Sequence, residues 1–185
     1  MDGNLVSAVW PQSHAQLLNK TMLIVFGVLL LSVSSKVQVP FWPVPMTLQT
    51  LVVLLLGASY GARLGGVTLL SYLAAGAIGL PVFAKGAGLA YMAGTTGGYL
   101  AGFLVAAVLI GWLADSGYGR TIFSAIAIFA IGEFLLFALG AGRLAVLIGT
   151  EKAIAGGLMP FIPAEILKVA LACAMLTLAW KRTKT

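Results

Sequence analysis

The chain has 185 residues, of which 61% are hydrophobic and 9% are charged. Soluble domains carry about 25% charged residues, so the composition excludes a soluble globular protein and indicates an integral membrane protein. The formal net charge of +6 does not indicate nucleic-acid binding, because the basic residues are scattered and form no patch with interleaved aromatics. The length allows one membrane domain, residues 1–185, with room for about six spans of roughly 20 residues.

A polar N-terminal segment is predicted over residues 1–16. It contains Trp10 and Pro11, and no basic region abuts a short apolar core. We therefore expect the first apolar segment to be retained rather than cleaved as a signal peptide. The single histidine, His14, has no cysteine or acidic residue close to it in sequence with which to hold a metal.

Six apolar segments are predicted to be transmembrane helices, so that residues 17–181 would form an all-α bundle. They cover about residues 17–35, 47–62, 64–80, 97–113, 121–139 and 163–180. The second and third segments are short and are joined by a tight, glycine-rich connection that carries Arg63.

Three long connections separate these segments. Pro40, Pro43 and Pro45 forbid a helix between Lys36 and Met46, so an extended loop is expected there. Residues 81–96 are too polar and too rich in glycine to span, and we expect them to fold back onto the protein. Residues 140–158 are predicted to form a long connection that contains a short amphipathic helix.

An even number of spans places both termini on one side of the membrane. On that side the basic residues are Lys20, Arg63, Arg120, Lys181, Arg182 and Lys184, and on the other they are Lys36, Lys85, Arg143 and Lys152. Because basic residues favour the cytoplasm, this bias predicts cytoplasmic termini. The three long connections would then all face outward.

Two opposite charges open the last predicted span. Pro163 suits a first helical turn, and Glu165 and Lys168 are three residues apart, so they share one helix face. A charge at mid-bilayer costs about 2.5–3.5 kcal/mol on the insertion scale, and such residues usually face a partner or a ligand. We interpret the pair as one wall of a small-molecule site. An internal ion pair that only shapes the start of the helix remains the alternative.

Other side chains are expected near the same mouth. Gln49 can donate and accept hydrogen bonds, and several aromatic residues could enclose an apolar body: Phe41, Trp42, Tyr72, Phe83, Tyr91 and Tyr99. A small, partly apolar ligand with one anionic or carbonyl end fits this set. Residues 95–99 resemble no phosphate loop and are interpreted as a helix start with close backbone approach. For Glu133, a hydrogen bond between helices is favoured over binding.

Four motifs together resemble a known family. Val39-Pro40-Phe41-Trp42-Pro43-Val44-Pro45-Met46-Thr47-Leu48-Gln49-Thr50 resembles the VPxxPVPxTxQT signature of BioY proteins. Gly79-Leu80-Pro81-Val82-Phe83-Ala84 and Thr96-Gly97-Gly98-Tyr99-Leu100-Ala101-Gly102-Phe103 are similar to the central motifs of that family. Pro160-Phe161-Ile162-Pro163-Ala164-Glu165-Ile166-Leu167-Lys168 resembles its PFxPxDxxK segment. The resemblance runs from about Lys36 to Ala172.

The resemblance implies the biotin-specific substrate-binding (S) component of an energy-coupling factor (ECF) transporter in a prokaryotic cell membrane. It implies a six-helix domain that binds biotin near the outer face, is not an enzyme, has no cofactor, and docks onto a transmembrane coupling protein with two cytoplasmic ATPases that use ATP. The implied biotin-binding residues are Glu165, Lys168, Gln49, Thr47, Pro45, Tyr72, Phe83, Thr96, Gly98, Tyr99 and Tyr91.

The chain departs from the family pattern in two places. Glu165 stands where the family usually has Asp, which lengthens the side chain by one methylene. The Ala-xxx-Ala face on the first helix, through which S components dock, is absent, and the nearest small residues are Gly27 and Ser32.

Three alternatives remain open on the sequence. The chain could be an S component for another small vitamin. An intramembrane hydrolase would need a nucleophile beside a base, but Ser71 has no histidine within any predicted span. A structural membrane subunit would bind no ligand.

Overall fold

The computed structural model describes residues 4–9 and 17–183, which form helices joined by connections of different lengths. His14 and Lys184 lie outside these residues. The helices are α1 (Leu5–Val9), α2 (Leu17–Lys36), α3 (Gln49–Ala77), α4 (Gly88–Ala93), α5 (Gly97–Asp115), α6 (Ile122–Ile148), α7 (Thr150–Gly157) and α8 (Ile162–Arg182). Five of the described helices, α2, α3, α5, α6 and α8, are long and apolar enough to cross a membrane. The all-α expectation is confirmed for the described residues.

Helix α3 is a hairpin of two helical halves, residues 49–60 and 62–77, that turns at Gly61. The backbone of Gly61 has φ 77° and ψ 177°, a conformation that glycine adopts without steric cost. The side-chain amide of Gln49 donates to the Tyr72 hydroxyl at 2.7 Å. In a straight helix, two residues 23 positions apart would be separated by about 34 Å, so the chain must reverse between them. The second and third predicted segments are therefore the two arms of this hairpin. Their turn comes at Gly61 rather than at Arg63.

Helix α6 is longer than the sequence predicted. The segment was expected to end near residue 139, but the helix continues to Ile148 and ends at Gly149, where φ is 90°. The glycines at 140 and 142 do not break it. A Cβ atom at Gly140 would lie 2.3 Å from the ring of Tyr99, so glycine there permits the close approach of α5. The predicted connection shortens accordingly and contains α7.

The three long connections meet at one end of the bundle. The first contains two strands, β1 (Gln38–Val39) and β2 (Met46–Thr47), which pair antiparallel with Gln38 opposite Thr47. The Thr95 hydroxyl donates to the Pro43 carbonyl at 3.2 Å, and the rings of Phe41 and Phe161 lie 6.3 Å apart. These contacts join the hairpin between α2 and α3 to the connections before α5 and before α8.

The opposite end gathers the start of the chain, the turn of α3 and the end of α8. Asp115, the last residue of α5, accepts from the Asn4 side chain at 2.8 Å and from the Ala62 backbone N–H at 2.9 Å. Arg120 lies over the Trp180 ring, 5.1 Å from its centroid. The described residues near both termini therefore lie at the end that is remote from the long connections.

The core lies between α3, α5 and α6. Leu54, Leu69, Ile110 and Phe129 are fully buried, whereas the outer faces of α2 and α8 expose large apolar side chains. Exposed apolar faces of this extent on long helices are expected of a protein that lies in lipid.

Candidate functional site

The predicted charge pair forms at the start of α8. The helix begins after Phe161 and has Pro163 in its first turn, where the missing N–H leaves no intrahelical bond unmade. Lys168 Nζ lies 2.8 Å from Glu165 Oε1, and the two side chains are 11% and 8% exposed. The expectation that they share one face of the helix is confirmed. Because both groups are buried, each needs hydrogen-bond partners.

Thr50 connects this pair to the first arm of α3. Its hydroxyl donates to Glu165 Oε2 at 2.7 Å and accepts from Lys168 Nζ at 2.9 Å. Lys168 also donates to the backbone carbonyl of Thr47. All three donors of the ammonium group are therefore used within the protein, and a ligand oxygen that reaches Lys168 must replace one of them.

A second hydrogen-bonded chain begins at Gln49. Its side chain donates to the Tyr72 hydroxyl at 2.7 Å, and that hydroxyl donates to the Val82 carbonyl at 3.0 Å. The Phe83 ring packs edge-on against Tyr72, 5.4 Å between centroids, and stacks on Tyr91 at 5.3 Å. This chain fixes the start of the connection between α3 and α5 against the bundle.

A cavity of about 30 Å³ lies between these two networks. Its lining residues come from the first two long connections, from the α3, α5 and α6 helices and from the start of α8: Val44, Pro45, Thr47, Gln49, Thr50, Ala84, Thr96, Tyr99, Phe103, Leu136, Phe137, Phe161 and Glu165. Cavities that take small molecules have about 300–1,000 Å³, whereas this one has room for one or two water molecules. A vitamin-sized ligand therefore requires the lining to move.

One wall of the cavity is aromatic. The Tyr99 and Phe161 rings are stacked with centroids 6.4 Å apart, and Phe137 meets both edge-on at 5.9 and 5.8 Å. The Tyr99 hydroxyl donates to the Gly157 carbonyl at 2.7 Å, so this wall is attached to the end of α7. An apolar ligand body would pack against this surface.

The structure brings together some of the residues predicted for the site and separates others. Six of them line the cavity: Pro45, Thr47, Gln49, Thr96, Tyr99 and Glu165. Four others lie outside the lining: Lys168, Tyr72, Phe83 and Tyr91. Lys168 is bonded to Glu165, and the three aromatic residues form a row that starts at the hydrogen bond between Tyr72 and Gln49. A Cβ atom at Gly98 would lie 2.5 Å from the Leu139 carbonyl, so Gly98 is where α5 and α6 pack rather than part of the cavity wall.

The sequence reasoning missed Thr50, Phe137 and Phe161 as members of the site. Thr50 closes the VPxxPVPxTxQT motif and Phe161 belongs to the PFxPxDxxK motif, so their places in these motifs could have indicated them. Phe137 lies in none of the four motifs and carries no comparable signal, because aromatic residues in a membrane bundle usually only pack.

Known proteins resemble this chain along most of its length. It is 36% identical over 151 residues to the probable biotin transporter BioY of Pyrococcus horikoshii, covering 81% of this chain and 89% of that protein. It is 35% identical over 156 residues to the biotin transporter BioY of Thermotoga maritima, covering 83% and 90%. The fold is similar to that of a solved structure described as the S-component for biotin from an ECF-type ABC transporter, with a TM-score of 0.76, 24% identity and coverage of 89% and 92%.

The family comparison extends over nearly the whole chain. The model of the BioY family matches residues 8–185, and this range contains the four motifs noted above and all of the cavity-lining residues. The chain belongs to the BioY family.

Proposed function

We propose that this protein is the biotin-binding membrane subunit of an ECF-type uptake transporter. The observation that supports this proposal most strongly is the buried Glu165–Lys168 pair, which is hydrogen-bonded to Thr50 and lies at the wall of a partly aromatic cavity. The names of the relatives, biotin transporters, supply the ligand. In this account the chain performs no chemistry on biotin.

The arms of α3 count as two membrane spans in this proposal, which gives six with α2, α5, α6 and α8. Arg63 and Arg120 lie toward the end that holds both termini, which therefore faces the cytoplasm by the positive-inside rule. The end formed by the long connections faces outward, in a prokaryotic cell membrane. The support is the hairpin geometry of α3 and the meeting of all three long connections at one end.

Biotin has a cyclic urea head with two N–H donors and one carbonyl, fused to an apolar thioether ring. We assign an N–H donor to Glu165 and a ligand oxygen to Lys168, because a carboxylate only accepts and an ammonium only donates. Gln49, Thr47 and Thr96 offer further polar contacts. Tyr99 and Pro45 cover the apolar ring. Since the cavity has only about 30 Å³, loops 36–46 and 81–96 move to admit biotin and then close over it.

The remaining predicted residues act behind this wall. Tyr72 holds Gln49 in place through its hydroxyl, Phe83 packs against Tyr72, and Tyr91 stacks on Phe83. Gly98 keeps Tyr99 close to α6. Each of these residues shapes the site without needing to touch the ligand.

Energy for uptake comes from other subunits in this proposal. The partners are a transmembrane coupling protein and two cytoplasmic ATPases, and ATP is hydrolysed on the ATPases. The support is the structural similarity to an S-component of an ECF-type ABC transporter.

Calorimetric titration of the purified protein with biotin tests the proposal. We expect one biotin per chain, with no displacement by riboflavin or thiamine. Glu165→Ala and Lys168→Ala should each weaken binding strongly, whereas Glu151→Ala on the exposed face of α7 should not. Displacement of biotin by another vitamin would change the assigned ligand, and no binding of any vitamin would favour a structural subunit.

A further inference from the structure

A second and much larger cavity, the α6–α8 groove, lies between α6 and α8. It has about 570 Å³, and its lining includes Ala130, Phe134, Phe137 and Ile166 together with two acids, Glu133 and Glu165. Its outer rim includes Phe134, 71% exposed, and Ile166, 64% exposed, so it opens sideways between the two helices. Its volume is within the range of small-molecule sites.

Glu133 is the unusual member of this groove. The residue is 8% exposed, and both of its carboxylate oxygens lack a hydrogen-bond donor in the part of the chain that the structure describes. A buried polar group without a partner is costly, so a donor from outside the chain, or a proton, is expected at this position. The Glu165 carboxyl lines the same groove and is close enough to interact with that of Glu133.

The depth of Glu133 excludes a lipid headgroup as that donor. Glu133 lies in the middle part of α6, which begins at Ile122 and ends at Ile148. At a rise of 1.5 Å per residue, it is about 16 Å from the start of the helix and about 22 Å from its end. In a hydrocarbon core of about 30 Å, Glu133 is therefore far from both interfaces, where a lipid presents only its acyl chains.

The groove and the small cavity share one wall. Phe137 and Glu165 line both of them. Phe137 is one helical turn from Glu133 on α6, so the two side chains lie on the same face. A rotation of the Phe137 ring away from Tyr99 would join the two spaces into one site large enough for a fused bicyclic ligand.

We propose that the α6–α8 groove receives the cyclic urea head of biotin, with Glu133 and Glu165 each accepting one of its two N–H groups. This inference rests on the proposed function and adds to it a second acidic residue and the place of the ligand head. The two N–H groups of a cyclic urea lie on either side of its carbonyl, so two separate acceptors match them. Lys168, bonded to Glu165, is then the donor for the carbonyl oxygen between them.

The charges of the groove also orient the ligand. Glu133 and Glu165 carry two acidic groups against the single ammonium of Lys168, and the other lining residues are apolar. The acceptor oxygens of the groove suit a neutral urea with two N–H donors, whereas the carboxylate of the biotin side chain would find no cation among the groove-lining residues. The side chain therefore extends away from the groove, toward the connections that close the site.

The first test substitutes the unpartnered acid. Glu133→Gln keeps the shape of the side chain but replaces one of its two carboxyl oxygens by an amide nitrogen, which only donates, so the lost hydrogen bond should lower biotin affinity about tenfold. The control is Glu151→Gln, an exposed acid on α7, which should leave biotin affinity unchanged. If the wild type binds biotin and Glu133→Gln binds it equally well, this inference is overturned while the proposed function stands. If the wild type binds no biotin, the proposed function itself fails.

The second test uses the ligand instead of the protein, so it does not depend on the folding of a variant. Biotin derivatives methylated on one or the other ureido nitrogen are titrated into the wild-type protein. Two separate carboxylate acceptors predict a loss of about tenfold or more for each derivative. A loss for only one derivative overturns the proposal, because a single acceptor then suffices and Glu133 only shares a proton with Glu165.

The third test fills the groove. Ala130→Leu places a larger side chain one turn from Glu133 in the groove lining, and Ala127→Leu makes the same change on α6 outside that lining. We expect biotin affinity to fall for Ala130→Leu alone. Equal biotin affinity in the two variants would overturn the proposal and would indicate that lipid acyl chains, not biotin, occupy the groove.

Discussion

A double-mutant cycle on the ion pair separates its structural role from its role in binding. The variants are Lys168→Met, Glu165→Gln and the two together. Lys168 donates to Glu165, to Thr50 and to the Thr47 carbonyl. Its removal therefore leaves a buried carboxylate whose remaining described donor is the Thr50 hydroxyl.

The expected losses of stability follow from the burial of the Glu165–Lys168 pair. Removing one partner of a buried pair costs about 3–5 kcal/mol, and the 11% exposure of the Lys168 side chain places the loss near the lower end of that range. Glu165→Gln keeps an acceptor for the ammonium and should cost about 1.5–3 kcal/mol. The double variant leaves no unpaired charge, so it should cost no more than Lys168→Met alone. The coupling energy would then be about 2 kcal/mol, which is within the range found for residues in contact.

Two measurements are made on each variant. Reversible unfolding in mixed detergent micelles gives the free energy of unfolding, and calorimetric titration gives the affinity for biotin. If the two side chains contact biotin, all three variants lose affinity, although the double variant is no less stable than Lys168→Met.

Two results would refute this reasoning. Additive losses of stability, within about 0.5 kcal/mol, would mean that the two charges do not interact in the folded protein. Recovery of biotin binding in the double variant would mean that the pair only shapes the start of α8 and does not recognise the ligand.

Three further predictions concern the walls of the site. Gly140→Ala should lower the free energy of unfolding by about 1–3 kcal/mol, because the added Cβ would lie 2.3 Å from the Tyr99 ring. The control Gly142→Ala, whose Cβ would have no atom within 4 Å, should be neutral or stabilising, and thermal unfolding compares the two variants. Tyr99→Phe removes the hydrogen bond to the end of α7 and should speed amide hydrogen exchange in residues 150–157; unchanged exchange would contradict this. Trp42, 79% exposed on the first loop, should shift its fluorescence to shorter wavelength when biotin is added; Trp42→Phe should abolish the change and Trp112→Phe should keep it.

The sequence predicted the charge pair because ionised residues in an apolar segment are costly and rare. Glu165 and Lys168 could therefore be recognised without knowledge of what surrounds them. Thr50 is the opposite case. A threonine hydroxyl is tolerated in an apolar helix by bonding to its own backbone, so only the fold shows that it bridges the pair.

Glycines account for most of the other differences between the predictions made from the sequence and the structure. Gly98 was expected at a close backbone approach as well as at the ligand, and Gly140 was expected to start a connection. Both lie where α5 and α6 approach closely. A glycine that allows a helix crossing and a glycine that allows a turn or a ligand have the same sequence signature. Gly61, where φ is 77°, does turn the chain, and it lies just before Arg63, where the sequence placed the connection.

Native mass spectrometry of the protein, released from detergent after expression in biotin-containing medium, tests the central claim most directly. The account predicts one added mass equal to that of biotin per chain, which Glu165→Ala loses and Glu151→Ala keeps. A protein that carries no added mass, even after incubation with excess biotin, would contradict it.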